Sequence, residues 1–392
     1  MEEIVLYSHS AGSPQVGPNI RVYNLAKSLT EQGYQVSIVA SGFFHKYNHS
    51  QVSGYINRKE VDGIHYLYLW NIEYENKLLH LLNLFIYSLL STIISFSYFR
   101  RVSTAIISTP PLLPLGPAIV HKVYGGQLFF DIRDQWPEIL GDLGSSLALK
   151  VYSLILRLKK KMFLAIADKV MVVKKGEPLY LQENYSIEKS DIVYIPNGLL
   201  LNEDPGISLQ PNCRNNSNQR LRIVYVGSLN HYYKLTEFCE LVGKYGFLEF
   251  HIYGSGVQQK KVERFAEVNK NIYYYGRISP EKVKEVLKRY DLAYNGLKDS
   301  KMNQYGISTN KLFEYFYVGL PVISFCKSNY DPVRISGAGF AGGSITEMNK
   351  ILHNLQNINK VNLAKMGKKG SQYLYENHNF YKNINKFIAH SN

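Results

Sequence analysis

The sequence predicts an α/β protein made of two doubly wound, Rossmann-like domains that face a cleft. Short apolar runs alternate with stretches of helical periodicity along the 392 residues, which is typical of parallel sheets with helices on both faces. The alternation restarts after the tract LNEDPGISLQPNCRNNSNQR at residues 201–220, whose polar composition suits an interdomain linker.

The sequence also predicts the bounds of the two domains and of their strands. The first domain is predicted over residues 1–200 and the second over residues 201–371, and a helix over residues 372–392 is expected to pack back on the first domain. The apolar runs predict strands at residues 4–7, 35–40, 104–108, 128–130, 169–173 and 192–195 in the first domain and at 222–226, 249–253, 272–275, 292–294 and 322–325 in the second.

One apolar segment, Leu78–Phe99, has no charged residue and is long enough to be a candidate membrane-spanning helix. Its polar residues cluster on one side of the helical wheel, which does not suit a helix surrounded by lipid. The strands predicted before and after it belong in one parallel sheet, so a crossover helix is the better interpretation. Glu2 and Glu3 stand where a signal peptide carries positive charge, so no signal peptide is expected.

The net charge of +14 indicates anionic partners, namely nucleic acid, acidic lipid headgroups or phosphorylated small molecules. No zinc-knuckle, RNP-like or helix-turn-helix pattern is present, so no nucleic-acid partner is expected. Arg157, Lys159, Lys160 and Lys161 cluster beside apolar helical residues, which is typical of an edge that faces an anionic membrane surface. The three cysteines are far apart and have no disulfide or metal-ligand spacing, which fits the cytosol.

The stretch YGISTNKLFEYFYVGLPVI at residues 305–323 predicts a helix over residues 310–318. Small polar residues at 308–310 are candidate N-caps, and the glycine at 319 and proline at 321 end the helix. At helical spacing, Lys311 and Glu314 fall off the apolar face. Glu314 does not complete a capping box, because the residue three positions before it is Lys311, so ligand contact is an alternative to a solvated carboxylate.

Five motifs occur in order over nearly the whole chain and resemble those of a known family. They are IPNG at residues 195–198, RIVYVGSL at the start of the second domain, FHIYGSG at its next strand, YGR at residues 275–277, and STNKLFEYFYVGLPVI. This set resembles retaining glycosyltransferases of family 4, which have the GT-B fold. STPPLLPLGPAI and FFDIRDQWPE resemble, more narrowly, the branch that assembles bacterial surface polysaccharides, including N-acetylfucosamine transferases.

The resemblance implies a nucleotide-sugar donor held mainly by the second domain, an acceptor on the first domain and a reaction in the cleft. Such a site must stabilise the negative charge that develops on a leaving diphosphate. Many sugar-transfer enzymes use a metal bound by an Asp-x-Asp motif, which this sequence lacks. We therefore expect no metal and no cofactor, and compensating positive charge from the protein itself.

The resemblance implies donor-binding residues at several positions of the second domain. Lys234 falls six residues after Ser228, at the spacing of the family's phosphate-binding lysine, although a surface lysine that opens a helix gives the same pattern. The helix start at residues 307–311 offers unpaired N–H groups to the diphosphate, and Glu314 matches the glutamate that accepts hydrogen bonds from the ribose hydroxyls. The expected donor-binding residues here are Lys234, Arg277, Gly306, Ile307, Ser308, Thr309, Asn310, Lys311 and Glu314.

Two positions differ from the family pattern. The family often carries arginine where this chain has Ser228, and the first glutamate of its Glu-x7-Glu motif falls on Gly306. In many relatives that carboxylate touches the donor sugar, so the motif does not identify the sugar and a simple retaining assignment loses support. The backbone at Gly306 can still approach the sugar or phosphate closely, so the replacement does not imply inactivation.

The first domain carries the acceptor-side candidates. Asp131, Arg133 and Asp134 follow a predicted strand, at the sheet edge that faces the ligand crevice, and are the catalytic candidates. Asp134 can orient or deprotonate the acceptor hydroxyl and Arg133 can bind an acceptor phosphate, while a structural Asp–Arg pair is the alternative. Gly17 is a further candidate for donor contact, or a flexible turn, and Trp136 is interpreted as a hinge anchor rather than a sugar-stacking platform.

Together the residues and the resemblance predict a metal-independent, retaining glycosyltransferase. It is expected to move a sugar from a nucleotide-diphosphate donor, a UDP-sugar, to a lipid-linked saccharide acceptor in cell-surface polysaccharide synthesis, as a cytoplasmic protein peripheral to the inner face of the membrane. Two alternatives stay open. A nucleotide-sugar 2-epimerase of the same fold would need more acid–base carboxylates and histidines in the cleft, and a non-enzymatic protein would only bind anionic surfaces.

Overall fold

The structure is a computed structural model that describes residues 2–14, 20–44, 49–50, 54–109, 115–134, 137–138, 147–205 and 220–391. The chain divides into unit 1, Met1–Pro196 with Phe380–Asn392, and unit 2, Asn197–Asn379. The helix expected over residues 372–392 is instead two helices, and only the second belongs to unit 1. Asn379 lies at this break, where its side chain accepts a hydrogen bond from the Leu201 N–H and donates one to the Leu201 carbonyl.

Unit 1 is built on an eight-stranded sheet that is parallel except at one edge. The eight strands of this sheet are β1 (Glu3–Tyr7), β2 (Gln35–Ser41), β5 (Ile56–Val61), β6 (Ile64–Leu69), β7 (Thr104–Ser108), β8 (Gln127–Ile132), β9 (Lys169–Val172) and β10 (Ile192–Tyr194). The short strands β3 (Phe43–Phe44) and β4 (His49–Ser50) pair with each other in a separate two-stranded sheet. The order across the sheet is β10-β9-β8-β7-β1-β2-β6-β5, and β5 is antiparallel to β6. Its helices are α1 (Ile20–Glu31), α2 (Lys77–Ile94), α3 (Leu115–Val123), α4 (Leu147–Ile166) and α5 (Glu177–Tyr185).

Unit 2 is built on a second, fully parallel sheet. Its strands are β11 (Leu221–Val226), β12 (Leu248–Tyr253), β13 (Ile272–Tyr274), β14 (Leu292–Gly296), β15 (Val322–Phe325) and β16 (Gly339–Gly342), in the order β13-β12-β11-β14-β15-β16. Its helices are α6 (Leu235–Val242), α7 (Gln259–Val268), α8 (Pro280–Leu287), α9 (Asn310–Tyr317), α10 (Pro332–Ser336), α11 (Ile345–Asn354) and α12 (Lys360–Asn377), after which α13 (Phe380–Ser391) returns to unit 1. The predicted α/β architecture with parallel sheets is confirmed.

The hairpin of β5 and β6 is absent from the predicted strands, although the sequence contains its signal. Asp62 and Gly63 form the two-residue turn with φ of 55° and 79°, and Asp-Gly is a preferred pair for such turns. Strand β16 is also absent from the prediction. Its sequence, GFAG, is half glycine and has little strand propensity, so only pairing with β15 makes it a strand.

The apolar segment Leu78–Phe99 forms α2 and a π-helical turn after it, Ser95–Phe99. By length and composition alone it is the one helix in the described residues that could cross a membrane, and a third of its most apolar window is buried in the protein. Strand β1 pairs in parallel with both β2 and β7. The strands before and after α2 therefore lie in one sheet, as predicted, and α2 is a crossover helix of unit 1.

The basic cluster on α4 is split by burial, which corrects the predicted membrane edge. Lys160 is buried, pairs with Glu138 at 3.3 Å and lies over the rings of Tyr180 and Tyr185. Burial lowers the pKa of Lys160, and Glu138 opposes the shift. Only Arg157 and Lys161 of the four cations are exposed, with Lys159 half-buried. The reason is helical geometry, because successive residues point 100° apart and cannot share one face.

A buried ion pair connects α1 to the centre of the unit 1 sheet. Arg21 Nη2 lies 2.7 Å from Asp131 Oδ1, and the two side chains are 4% and 1% exposed. Arg21 Nη1 donates to the Ile195 carbonyl, and the Ser108 hydroxyl donates to Asp131 Oδ2 at 2.9 Å. Asp131 was predicted to be catalytic, but its carboxylate is enclosed and fully used by these donors. This environment favours a structural role over the predicted catalytic one.

Helix α9 is fixed at its C-terminal end by α12. A Cβ atom at Gly367 would lie 1.9 Å from the Gly319 carbonyl oxygen, so the two backbones approach as closely as only glycine permits. The Ser371 hydroxyl donates to the Phe316 carbonyl at 2.5 Å. Gly319 has a φ of 71° and ends the helix as predicted. These contacts hold α9 rigidly within unit 2.

We predict that Asp131→Ala lowers the free energy of unfolding of unit 1 by about 3–5 kcal/mol, because it leaves the buried Arg21 guanidinium without its counter-charge. The matched control is Asp134→Ala at the exposed neighbouring aspartate, which should change stability by less than about 0.5 kcal/mol. Thermal and chemical denaturation of both variants measure the difference. Equal melting temperatures for the two variants would contradict the structural role.

Candidate functional site

The first turn of α9 has no side-chain cap. Thr309 occupies the N-cap position, but its hydroxyl donates to Asn295 Oδ1 at 3.1 Å and accepts no hydrogen bond from the helix. Ser308 and Asn310, the other predicted caps, do not replace it, and the Asn310 side chain is exposed. The Leu312 N–H donates to the Thr309 carbonyl, whereas the N–H groups of Asn310 and Lys311 are not satisfied by a side-chain cap and can donate to an anion.

The chain enters α9 through an extended segment shaped by Gly306. Its φ of 130° and ψ of 170° are a combination that glycine adopts readily and other residues adopt with strain. Ile307 is buried against Leu297, and the Ser308 carbonyl accepts from Asn197 Nδ2 at 3.2 Å. The Ser308 hydroxyl is buried without a hydrogen-bond partner in the described residues. Such a group is costly unless a ligand or water satisfies it.

Lys311 carries an ammonium group that has no carboxylate partner in the described part of the chain. Its Nζ donates to the Tyr225 hydroxyl at 2.9 Å and lies 4.5 Å and 3.1 Å from the ring centres of Tyr225 and Tyr233. Burial lowers its pKa well below the usual value, and Glu314 opposes the shift. A Cβ at Gly227 would lie 3.3 Å from Nζ, so the glycine loop after β11 touches the cation. This arrangement is suited to an anionic ligand.

Glu314 lies one turn further along α9 and is half-buried. Its helix neighbours Phe313 and Tyr315 are fully buried, so Glu314 borders the apolar face without belonging to it. Burial raises the pKa of Glu314, while Lys284 and Lys311 lower it. A partly desolvated carboxylate costs free energy in the unliganded protein. That cost favours ligand contact over the solvated-surface interpretation.

Lys234 follows β11 and is already paired. Its backbone has a φ of 46°, in the left-handed region, and its Nζ lies 2.9 Å from Asp299 Oδ1 and 4.4 Å from the ring centre of Phe325. The Lys234 side chain is 10% exposed and that of Asp299 is 64% exposed. A phosphate contact at Lys234 therefore requires an anion to compete with Asp299 for the ammonium.

An aromatic cluster brings Lys234 and Lys311 into one region of unit 2. Tyr233 contacts Lys311 through its ring, and the Tyr294 hydroxyl donates to the Lys234 carbonyl at 3.0 Å. The Tyr225 ring lies 6.0 Å from that of Tyr233 and 6.2 Å from that of Tyr294. These tyrosines are not among the predicted site residues. The one sequence signal for them is the aromatic pair beside the lysine in NHYYKL.

Arg277 lies after β13, at the same C-terminal edge of the sheet. Its side chain is exposed, and its Nε donates to the hydroxyl of Ser255 in the loop after β12. This contact associates Arg277 with the β12 loop and not with α9. Its donor-binding role stays a prediction.

The acceptor-side candidates of unit 1 have different environments. Arg133 is half-buried, and its Nη1 is buried without a hydrogen-bond partner in the described residues. Burial lowers the pKa of Arg133, while Asp131 and Asp134 raise it. Asp134 is exposed, so Arg133 and Asp134 can meet a ligand whereas Asp131 cannot. Gly17 and Trp136 lie outside the described residues.

Potential metal ligands do not cluster in the part of the chain that the structure describes. No group of three or more His, Cys, Asp or Glu side chains there could hold an ion. Cys239 and Cys326 are both buried, and Cys239 is a free thiol.

Residues 220–353 match the family described as Glycosyl transferases group 1. The matched segment contains the loops after β11 and β12 and the whole of α9, and therefore Lys234, Arg277, Lys311 and Glu314. No curated protein has a sequence that matches this chain.

Solved structures similar to the whole chain support the fold. The chain is similar to sucrose-phosphate synthase from Thermosynechococcus elongatus, with a TM-score of 0.69, 12% identity and coverage of 99% of this chain and 98% of that one. It is similar to an S. aureus TarM mutant in complex with Fondaparinux, alpha-GlcNAc-glycerol and UDP (TM-score 0.63, 13% identity, 100% of both chains). It is also similar to Anabaena HepE in complex with UDP (TM-score 0.63, 11% identity, 99% and 98%). The fold is therefore GT-B, and the family match of residues 220–353 supports a glycosyltransferase.

Proposed function

We propose that the protein is a retaining, metal-independent glycosyltransferase that moves a sugar from a UDP-sugar to a lipid-linked saccharide acceptor in cell-surface polysaccharide synthesis. One observation carries the donor half of this proposal. The side chain of Lys311 is half-buried, its ammonium has no carboxylate within salt-bridge distance in the described residues, and it lies in the first turn of an uncapped helix. This arrangement belongs to the segment that matches Glycosyl transferases group 1.

Sugar transfer needs positive charge where the nucleoside diphosphate leaves. When the bond between the anomeric carbon and the diphosphate oxygen breaks, negative charge grows on the diphosphate. The first N–H groups of α9 and the Lys311 ammonium supply fixed donors for that charge. Lys234 adds a second cation when it exchanges Asp299, whose side chain is largely exposed and readily solvated, for a phosphate oxygen.

UDP is the proposed nucleotide because two of the similar structures, those of TarM and HepE, were solved in complex with UDP. We assign the ribose contact to Glu314, one turn beyond the helix start. Gly306 brings a bare backbone next to the donor sugar or phosphate, and Arg277 is assigned to the nucleotide end of the site through the β12 loop.

The acceptor half of the proposal depends on unit 1. The Arg133 guanidinium has an unsatisfied buried N–H group that can bind an acceptor phosphate, and the exposed Asp134 can orient or deprotonate the acceptor hydroxyl. A lipid-linked acceptor resides in a membrane, so we propose that the protein acts peripherally at the cytoplasmic face. The net charge of +14 favours contact with anionic lipid headgroups.

The experiment that tests this function incubates the protein with UDP-sugars, with and without a lipid-linked saccharide extract, and identifies the products. Transfer of sugar to the lipid fraction, with release of UDP, is the expected result. Conversion of the UDP-sugar to its 2-epimer without acceptor would assign the 2-epimerase reaction instead. No turnover by a protein that still binds anionic vesicles would favour the non-enzymatic alternative.

Lys311→Met is predicted to weaken UDP binding at least about tenfold, because a charge-assisted contact to the diphosphate is lost. The same variant should melt at an unchanged or higher temperature, since it removes a buried charge that has no carboxylate partner. Calorimetry and thermal unfolding measure the two effects, with Lys260→Met at an exposed lysine of α7 as the matched control. A lower melting temperature with an unchanged dissociation constant would assign Lys311 a structural role.

UDP should bind with the same dissociation constant in the presence of EDTA and of Mg²⁺, because the proposed phosphate contacts come from Lys234, Lys311 and the start of α9. Titration calorimetry under the two conditions is the measurement. Loss of binding in EDTA, with recovery on adding a divalent cation, would contradict the metal-independent proposal.

Glu314→Gln should raise the dissociation constant for UDP about tenfold by removing a charged acceptor for the ribose hydroxyls. Stability should not fall at neutral pH. Because the folded-state pKa of Glu314 is raised, its ionised form opposes folding, and its contribution to stability is lost as the pH rises through the folded pKa. Glu267→Gln, at an exposed position of α7, is the matched control. Unchanged UDP affinity in Glu314→Gln would indicate that Glu314 is a solvated surface carboxylate that does not contact the ligand.

A further inference from the structure

Helices α2, α3 and α4 form one layer on one face of the unit 1 sheet. The chain runs from β6 to β7, β8 and β9 in a single direction across the sheet, whereas α1 connects β1 to β2 in the opposite direction. Parallel connections are right-handed, so α2, α3 and α4 lie on the face opposite α1. Packing agrees, because α2 contacts α3 and α3 contacts α4, while α1 contacts α13.

The outward side of α2 is an apolar stripe. Six large apolar side chains, each between 46% and 76% exposed, recur at spacings of three and four residues, which places them on one side of the helix: Leu78, Leu82, Phe85, Leu89, Ile93 and Phe96. A surface helix normally presents polar residues outward. Helix α2 instead presents apolar residues outward.

Helix α4 also carries an exposed apolar stripe. Its exposed apolar residues are also spaced by three and four, and each is between 50% and 78% exposed: Leu147, Val151, Leu154, Leu158 and Met162. Ile119 and Val123 of α3, between the two stripes, are likewise exposed. The three helices therefore present a continuous apolar face, here called the three-helix surface, and exposed apolar areas of this extent mark interaction sites.

The charge of the three-helix surface identifies its partner. The sequences of α2, α3 and α4 contain no aspartate or glutamate. The exposed cations Lys150, Arg157 and Lys161 are spaced seven and four residues apart, so they flank the α4 stripe on one side. Apolar stripes on helices that carry cations and no carboxylate are the pattern of helices that lie in the headgroup region of an anionic bilayer.

Aromatic and cationic side chains border the end of α2. Arg100 lies 5.4 Å from the ring centre of Phe96 and 5.9 Å from that of Tyr124, and Arg58 lies 5.1 Å from that of Tyr98. Tyr98 and Tyr124 are about half exposed. Tyrosine, tryptophan and arginine are favoured at the level of lipid headgroups, where one part of the side chain is apolar and the other is hydrated.

We propose that the three-helix surface is a monotopic membrane-docking face that inserts the apolar stripes of α2 and α4 among the lipids of an anionic leaflet. This inference deepens the proposed function and rests on it for the biological reason to bind a membrane. Insertion of apolar side chains is the main attraction, and the cations of α4 add selectivity for anionic lipid. The two strands connected by α2 stay in one sheet, so α2 lies in the interface and does not span the bilayer.

A second copy of the chain is a poorer occupant. A symmetric dimer through this face would juxtapose two surfaces whose helices carry cations and no carboxylate, so the like charges would have no partners within the interface. Phosphate headgroups supply the missing negative charge, and acyl chains supply an apolar medium for both stripes at once.

The test is flotation of the full chain with phosphatidylcholine vesicles and with vesicles that also contain phosphatidylglycerol. The variant Phe85→Ser/Leu89→Ser/Leu154→Ser/Leu158→Ser changes only exposed side chains of the two stripes. We expect wild type to prefer the anionic vesicles, to keep part of its binding in high salt, and to leave the vesicles in alkaline carbonate. The variant should bind at least about tenfold less. Val268→Ser/Val361→Ser, at exposed valines of unit 2, should bind as wild type does.

Calorimetry with UDP on the same proteins separates this inference from the proposed function. UDP binding without flotation would overturn the membrane-docking proposal and leave the transferase proposal unchanged. Flotation without UDP binding would overturn the transferase proposal and leave the membrane-docking proposal unchanged. Equal flotation of wild type and the four-site variant would show that the stripes are not the contact. A wild-type dimer that the four-site variant converts to a monomer would assign the surface to self-association, and resistance to carbonate would assign insertion across the bilayer. Equal flotation, a dimer that dissociates in the variant and resistance to carbonate would each overturn the membrane-docking proposal.

Discussion

The parallel direction of the strands, together with the right-handed connections between them, is the constraint on which the rest of the structure depends. In a parallel sheet the carboxyl ends of all strands lie at one edge, so the loops after β11, β12 and β14 bring Gly227, Ser255 and Ile307 to the same edge of unit 2. In unit 1 the right-handed connections place three successive helices on one face of the sheet, because the chain crosses the sheet in one direction from β6 to β9. The candidate donor site and the three-helix surface therefore have a common topological origin.

Buried charges follow two patterns that separate structural from functional residues. Arg21 is paired with Asp131, and Lys160 is paired with Glu138 and lies over two tyrosine rings. These groups have strong partners within unit 1, and their burial is compensated. Lys311 has tyrosine contacts and no carboxylate in salt-bridge distance within the described residues. An uncompensated cation reduces stability, and a protein can keep such a residue when an anionic ligand provides the compensation.

The sequence predicts the elements whose signals are local, and it does not predict side-chain environments that depend on packing between distant residues. Helix α9 carries its own start and stop signals, and Gly319 ends it as predicted. The fold class followed from alternating apolar runs and from the motif resemblance. The burial of Asp131 and Lys160 was not predictable, because it depends on distant partners, here Arg21 and Glu138, that no local spacing indicates. The tyrosines around Lys311 were missed for the same reason, since Tyr225, Tyr233 and Tyr294 converge only when β11 and β14 pair.

Gly306 occupies the position where the sequence resemblance places the first motif glutamate, and the backbone at this position explains the glycine. The preceding 3-10 turn, Lys301–Tyr305, ends where the Gly306 N–H donates to the Asn303 carbonyl, and the next residue, Ile307, is anchored in a buried cluster. With both sides fixed, residue 306 adopts a φ of 130°, where a side chain would cost about 1–3 kcal/mol of strain. A glutamate at this position would require a different path for the loop. The absence of a carboxylate at residue 306 and the shape of the loop are thus one structural feature, and in the proposed reaction the donor sugar meets backbone polar groups at this position.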